Sequence, residues 1–165
     1  MKKELEAHPI WPFLKQVHGI GPALAGQLLG LIGDISKFAT ISKLWRFCLG
    51  APIDGKVERP IKGEKLHYSK RIKRLMYNIG MSFIKSNSPY RRIYDEKKAY
   101  YQKNREWAKA HIHYAALRKM NQVFLSHVWL EWRTLLGLPI SKPYILVKGE
   151  HTTELKSEEF VEPGE

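Results

Sequence analysis

The residues best suited to chemistry lie near the start of the chain, in Phe13-Leu14-Lys15-Gln16-Val17-His18-Gly19-Ile20-Gly21-Pro22-Ala23-Leu24-Ala25. Gly19 and Gly21 tolerate backbone angles that other residues resist, and neither puts a side chain between the main chain and a ligand. Pro22 suits the first turn of a helix, where its missing N–H would be unpaired anyway. The amides that open such a helix face outward, and the helix dipole adds partial positive charge beside them. A turn of this kind holds a phosphate through its backbone and reads no base sequence. Ile20 is expected to plug the apolar space between the two flanking helices. A tight Gly-Pro turn between two core helices would use the same residues. The Gly-hydrophobic-Gly spacing, followed by the small residues Ala23, Ala25 and Gly26, favours the phosphate-binding turn of a helix-hairpin-helix module.

Charge defines the second group. Lys56, Arg59, Lys62, Lys65, Lys70, Arg71, Lys73 and Arg74 share their stretch with only two acids, Glu58 and Glu64, so they cannot all find carboxylate partners nearby. Such a run is commonly just a solvated face. Here it is one-signed, flanked by Tyr68 and Tyr77, and paired in one small chain with a phosphate-binding turn. Contact with a nucleic-acid backbone is therefore the favoured role.

Other constellations carry less. His111 and His113 point about 200° apart on a helix and cannot serve one metal site. His111 and His127 are too far apart on the same helix to share a ligand, and no metal site is assigned. Asp95 and Glu96 sit among Arg92, Lys97 and Lys98, where helical charge pairs are expected. Cys48, between Phe47 and Leu49, reads as a buried small hydrophobe. Trp107, Trp129 and Trp132 have rings that could stack on bases, although their spacing suits a core. No complete Gly-x-x-x-x-Gly-Lys-Ser/Thr loop and no nucleophile elbow is present.

The elements that must position these residues are helices. Ile10 to Val17 and Pro22 to Ile32 flank the glycine turn, and Gly33-Asp34 ends the second. A third helix fits Ser42 to Leu49, with Thr40 or Ser42 as cap and Gly50 as stop. Ala51 to Lys65 has two prolines, two glycines and no apolar periodicity, and is expected to be a basic loop. Leu66, Ile72, Leu75, Met76, Ile79 and Phe83 recur at helical spacing and place Lys70, Arg71, Lys73 and Arg74 on the opposite side. Ser86 to Pro89 breaks the chain before a helix from about Pro89 to Lys103. From Glu106 to Leu136 the residues Trp107, His111, Tyr114, Leu117, Leu125, Val128, Trp132 and Leu135 predict one buried stripe, which Gly137 and Pro139 end. Pro143-Tyr144-Ile145-Leu146-Val147 could form one short strand, too little for a sheet. The expected fold class is all-α.

At 165 residues the chain has the length of one domain, and 44% hydrophobic residues are enough for a real core. The net charge of +12 is concentrated: Lys43 to Lys119 carries 20 basic and 6 acidic residues. A polyanionic partner is expected, with nucleic acid the commonest. The last segment, Gly149 to Glu165, holds six Glu and one Lys, and reads as a solvated acidic tail rather than one folded back on the basic face. The single cysteine excludes an internal disulfide framework and a thiolate zinc site. No apolar run approaches the ~20 residues of a membrane span, and no signal-type apolar core follows Met1-Lys2-Lys3. The expected setting is cytoplasmic and nucleoid-associated, without a membrane.

The order of these features resembles the C-terminal transposase domain of the Piv/MooV-like (IS one-ten type) insertion-sequence transposases. The resemblance runs from about Trp11 to Gly80. It rests on Gly19-Ile20-Gly21, on Gly33-Asp34-Ile35-Ser36-Lys37-Phe38, on a shortened Gly-Leu-x-Pro turn at Gly50-Ala51-Pro52, and on the basic helix Lys70-Arg71-Ile72-Lys73-Arg74-Leu75. It implies DNA recombination in transposition by two-part enzymes. In these, an N-terminal RNase-H-like domain carries an acidic metal-binding tetrad, and the C-terminal part supplies a nucleophilic serine. Some members are guided by a structured RNA of their own element. This sequence departs from the pattern twice. Its basic region has no acidic tetrad, and Ile53-Asp54-Gly55 stands where the family's serine loop would be. Ser69, at the head of the basic helix, is the nearby hydroxyl that could substitute, and it equally suits a helix cap.

The expectation is thus a helical DNA-binding transposase domain over residues 1–148, with a hairpin module at 11–33, a basic loop and helix at 51–85 and long helices at 89–136. An acidic tail follows at 149–165. Gly19, Ile20, Gly21 and the cations from Lys56 to Arg74 would hold phosphates. No cofactor is expected in this chain, and Mg would enter only with an acidic RNase-H-like partner domain. A guide RNA and a second copy of the chain are further partners, and a truncated or split transposase product would fit. The rival expectation is a non-catalytic RNA-binding or architectural protein, since hairpin modules also occur on purely structural scaffolds.

Overall fold

The computed structural model describes residues 2–53, 56–141 and 156–162. Among them the chain is helical almost throughout, in the order α1 (Lys2–Glu6), α2 (Trp11–Gln16), α3 (Pro22–Ile32), a 3-10 turn (Ile35–Lys37), α4 (Ile41–Leu49), α5 (Lys70–Lys85), α6 (Arg91–Asn104) and α7 (Lys109–Leu135). The all-α class holds. A refinement falls in the expected loop. Two-residue strands β1 (Pro52–Ile53) and β2 (Lys56–Val57) pair antiparallel, with Pro52 opposite Val57 and Ile53 opposite Lys56. The short strand expected at Pro143 to Val147 lies outside the described residues.

Local chemistry sets the helix ends. Thr40 accepts from the Lys43 amide at 3.3 Å and caps α4, while Ser69 accepts from the Ile72 amide at 3.4 Å and caps α5. The Gly33–Phe38 motif is a clamp. Asp34 accepts from the Ser36 amide at 2.9 Å, a bond that holds its carboxyl below the usual range, and Ile35 is fully buried. The Phe38 carbonyl then takes the Trp129 indole N–H at 2.7 Å and an Arg133 guanidinium N–H at 3.3 Å. The motif therefore ties the hairpin half of the chain to α7.

Helix α7, 27 residues and about 40 Å long, is the spine of the fold. It runs antiparallel to α6 and packs α4 and α5 against itself. Leu14, Leu28, Leu44, Ile72, Met76, Phe83, Tyr90, Phe124, Val128 and Trp129 are fully buried between these helices. Gly80 allows α5 to cross α7 closely: a methyl group there would stand 2.7 Å from Leu117 Cδ1 and 3.0 Å from Asn121 Oδ1. Asn121 in turn donates to the Met76 carbonyl at 3.0 Å. Cys48 is buried as expected, and burial pushes its thiol well up.

The expected stripe on α7 is correct only in its middle. Leu117, Leu125, Val128 and Trp132 are buried, but Trp107, Tyr114 and Leu135 are among the most exposed large side chains, and His111 is exposed too. The spacing is helical throughout. What changes is cover: Trp107 lies before the first residue of α7, and His111, Tyr114 and Leu135 stay exposed although α6 packs along the helix.

The solvated acidic tail is corrected for residues 156–162. Ser157–Phe160 form a 3-10 turn, and Phe160 is fully buried, stacked on Tyr90 with ring centroids 4.7 Å apart and covered by the Arg92 guanidinium at 4.4 Å. Arg92 donates to Glu159 at 2.9 Å, which holds that carboxyl below its usual range. Ser157 donates to Glu131 at 2.6 Å, and the Glu162 amide donates to the Gln16 carbonyl at 3.0 Å. One apolar ring sits in a ready-made aromatic pocket, so burial outweighs the solubility of the surrounding carboxylates. Phe160→Ala is expected to lower unfolding free energy by about 3 kcal/mol. Urea denaturation checks this, and a loss below about 1 kcal/mol would mean that the ring is not inserted in solution.

Candidate nucleic-acid interface

The cationic residues fall in two places. From the ribbon, residues 58–69 wrap a cleft of about 450 Å³ whose walls include Arg46, Lys56, Arg59 and Lys65. Lys62 is exposed nearby on the same segment. The root of this loop is fixed from α7, where Arg118 donates to the Leu49 carbonyl at 2.9 Å and to the Gly50 carbonyl at 2.6 Å. Glu58 accepts from the Ala51 amide at 3.3 Å and lies 4.0 Å from Arg46, so this acid is spent within the loop. The second is α5, with Lys70, Arg71 and Arg74 exposed on its outer side. Among the described residues, none of Lys56, Arg59, Lys62, Lys65, Lys70, Arg71 and Arg74 lies in an ion pair. Lys73 differs. It is half-buried with its ammonium 4.5 Å over the Tyr68 ring, and burial, then repulsion from Arg118, lower its pKa.

The glycine turn forms as expected, but its two glycines part company. Gly19 has φ +95°, a left-handed conformation that suits glycine, and its carbonyl accepts from Ser82 Oγ at 2.6 Å. A methyl group on Gly19 would meet Ser86 Oγ at 2.7 Å and Phe83 at 3.1 Å. The space where a Gly19 side chain would stand is thus taken by Phe83 and Ser86. Gly21 has φ −89° and ψ 171°, ordinary extended backbone, and nothing lies within 4 Å of where its methyl would be. It is the N-cap of α3, no side chain caps that helix, and the first-turn amides of Ala23 and Leu24 have no acceptor within the helix. Ile20 is buried between the helices, as its plug role requires.

Ser82 and Ser86 join the two groups. Besides the Gly19 contact, His18 Nε2 lies 3.0 Å from the Ser86 carbonyl. An open concavity of about 640 Å³ lined by Tyr77, Asn78, Met81, Ser82, Lys85 and Ser86 continues the exposed side of α5 to the hairpin. One helix therefore carries the cations at its start and seats the turn toward its end, about 12 to 24 Å apart along its axis. His18 Nδ1 is also 3.1 Å from Glu162, so the docked acidic segment reaches the edge of the hairpin.

Ser69 heads this surface, half-buried, with its oxygen engaged as the α5 cap. His113 bonds Tyr94 at 2.7 Å and His127 bonds Tyr90 at 2.6 Å, so these two histidines are tied to tyrosines. Trp129 and Trp132 belong to the core, whereas Trp107 is exposed. Among the described residues no group of three His, Cys, Asp or Glu could hold a metal ion, and no helix is long and apolar enough to cross a membrane. Sequence reasoning missed Arg118 and the Ser82–Ser86 seat. Each acts on backbone far away in the chain, and neither has a local signature.

No family model and no solved structure matches the chain. Over 97 residues, 58% of its length, it is 30% identical to a Streptomyces coelicolor protein described as "Insertion element IS110 uncharacterized 43.6 kDa protein". The chain spans about a quarter of that relative, 24% of its length.

Proposed function

We propose that this chain is a DNA-binding domain of an insertion-sequence transposase or site-specific recombinase, gripping phosphates with the α2–α3 turn and with the loop and outer side of α5. The observation that carries this reading is the bond from Ser82 to the Gly19 carbonyl, which seats the turn before the uncapped start of α3 on the same helix that bears the exposed Lys70, Arg71 and Arg74. The similarity to an insertion-element protein supports the transposition context. Backbone amides and cations of this kind hold a duplex without reading its sequence.

Any strand-joining chemistry would fall to Ser69, the hydroxyl at the head of the cationic surface. It would draw its Mg and its acidic residues from an RNase-H-like partner, since the described residues do not provide a site for the ion. Apart from that hydroxyl, the chain's own part is to bind and orient DNA.

The test is fluorescence-anisotropy titration of duplex DNA, four-way-junction DNA and structured RNA across a salt series. Duplex or junction binding that weakens steeply with salt is the expected result. Binding confined to RNA would transfer the surface to a non-catalytic RNA-binding or architectural role, and no binding at all would reduce the hairpin to a core turn.

A further inference from the structure

Four aromatic side chains remain unusually exposed, and of them only Tyr77 borders the proposed duplex surface: Trp107 at 37%, Tyr77 at 42%, Tyr100 at 50% and Tyr114 at 57%. They are not scattered. Tyr77 of α5 contacts Tyr114 of α7 with centroids 6.4 Å apart, and His111 lies one helical turn before Tyr114 on the same side. Trp107 stacks on His111 at 4.2 Å and 7°, nearly parallel, and the row continues through Tyr101 at 5.2 Å to Tyr100 at 5.7 Å. The result is a line of rings from the middle of α5 to the tip of the α6–α7 hairpin.

The line is also cationic. Arg105 lies 5.6 Å over the Trp107 ring and Lys97 lies 5.8 Å over Tyr100. From Lys97 to Lys119 there are seven basic residues and one acid, Glu106. Lys119, half-buried, has its pKa lowered by burial and then by repulsion from Lys97 and Arg118, the sign of a positive cluster short of anions. A row meant only for packing against another protein would have no need of this charge. Rings open to solvent with cations beside them are the means by which unpaired bases and their backbone are bound together. Bases inside a duplex cannot reach such rings, so the occupant must be single-stranded.

We propose that this aromatic row is a second nucleic-acid site, which receives an unpaired DNA strand by base stacking. The choice of DNA rests on continuity with the proposed duplex surface: Tyr77 follows Arg74 by one turn of α5, so a strand leaving a duplex held there would meet the row at once. Stacking itself does not depend on the duplex reading and is measured with a different probe.

The experiment is anisotropy titration of a labelled oligothymidylate of about 20 nucleotides, with an oligouridylate and a duplex as separate arms. It compares the full chain, the double variant Trp107→Ala with Tyr114→Ala, and Trp107→Phe. Both positions are exposed, so the fold survives, which circular dichroism verifies. The double variant should lose roughly tenfold or more in oligothymidylate affinity. Its duplex affinity and its salt slope should stay unchanged, because no cation has been removed. Trp107→Phe keeps a flat ring and should keep most of the binding. Unchanged oligothymidylate binding in the double variant, equal losses on duplex, or binding of oligouridylate alone would each overturn the proposal. So would a dimer of the full chain, seen by light scattering, that the double variant abolishes. Oligothymidylate binding without any duplex binding would uphold this site while removing the duplex reading.

Discussion

Replacing Lys70, Arg71 and Arg74 together by alanine will flatten the dependence of duplex affinity on salt by roughly 2.7 in log–log slope, about 0.9 for each lost phosphate contact. At 0.1 M salt the same change will weaken binding by roughly two to three decades, since each released counterion is then worth a little under one decade. All three side chains are exposed on one side of α5, and among the described residues none has a carboxylate partner to lose. The fold should therefore be unaffected, because surface changes of this kind stay within about 0.5 kcal/mol. Lys73 is left in place for a structural reason: it packs over Tyr68, and its removal would mix lost packing with lost charge. Anisotropy titrations at four or more salt concentrations, run beside a urea melt, measure both quantities. A slope equal to that of the unaltered chain would mean that phosphates lie elsewhere, with the Lys56–Lys65 cleft the next candidate.

The helices were legible because their signals are local. Apolar residues at steps of three and four outline α5, and Ser69 and Thr40 stand where capping hydroxyls belong. The cationic side of α5 followed from the same periodicity. The misses share a different origin, in partners distant along the chain. Leu125 and Leu135 look alike on the α7 wheel, yet the first is fully buried and the second, the last residue of the helix, is 55% exposed. Phe160 looked like part of a solvated acidic run, but Tyr90 and His127 form a pocket for it. The Gly33–Phe38 motif was visible as letters, whereas its purpose needed Trp129 and Arg133, more than ninety residues on. The aromatic row draws on α5, α6, α7 and the turn between the last two, so no window of sequence contains it. Among candidate site residues, type and charge could be read directly. Which of them share a surface could not.

The two hairpin glycines give the sharpest separation of folding from binding. Gly19→Ala forces a side chain into φ +95°, a region that costs an L-residue about 1–2 kcal/mol, and pushes the new methyl to 2.7 Å from Ser86 Oγ and 3.1 Å from Phe83. Phe83 is fully buried and cannot swing aside, so the seat of the hairpin on α5 must open. We expect a loss of about 2 kcal/mol or more in a urea melt, with binding weakened as a consequence of the displaced turn. Gly21→Val should behave in the opposite manner. Its backbone is extended, a conformation that β-branched residues favour, and no atom lies within 4 Å of the added Cβ. The cost to stability is limited to replacing a glycine N-cap, about 1 kcal/mol at most. Duplex affinity, however, should fall about tenfold to a hundredfold, because the side chain stands where a phosphate must approach the α3 amides, and hydrogen bonds to a charged group are worth about 1.5–3 kcal/mol each. Equal affinities for Gly21→Val and the unaltered chain would show that this helix start holds no phosphate and would leave the whole attraction to α5 and the loop before it. A Gly21→Val chain that unfolds like Gly19→Ala would instead place hidden packing at Gly21, and the open space beside it would no longer explain why glycine stands there.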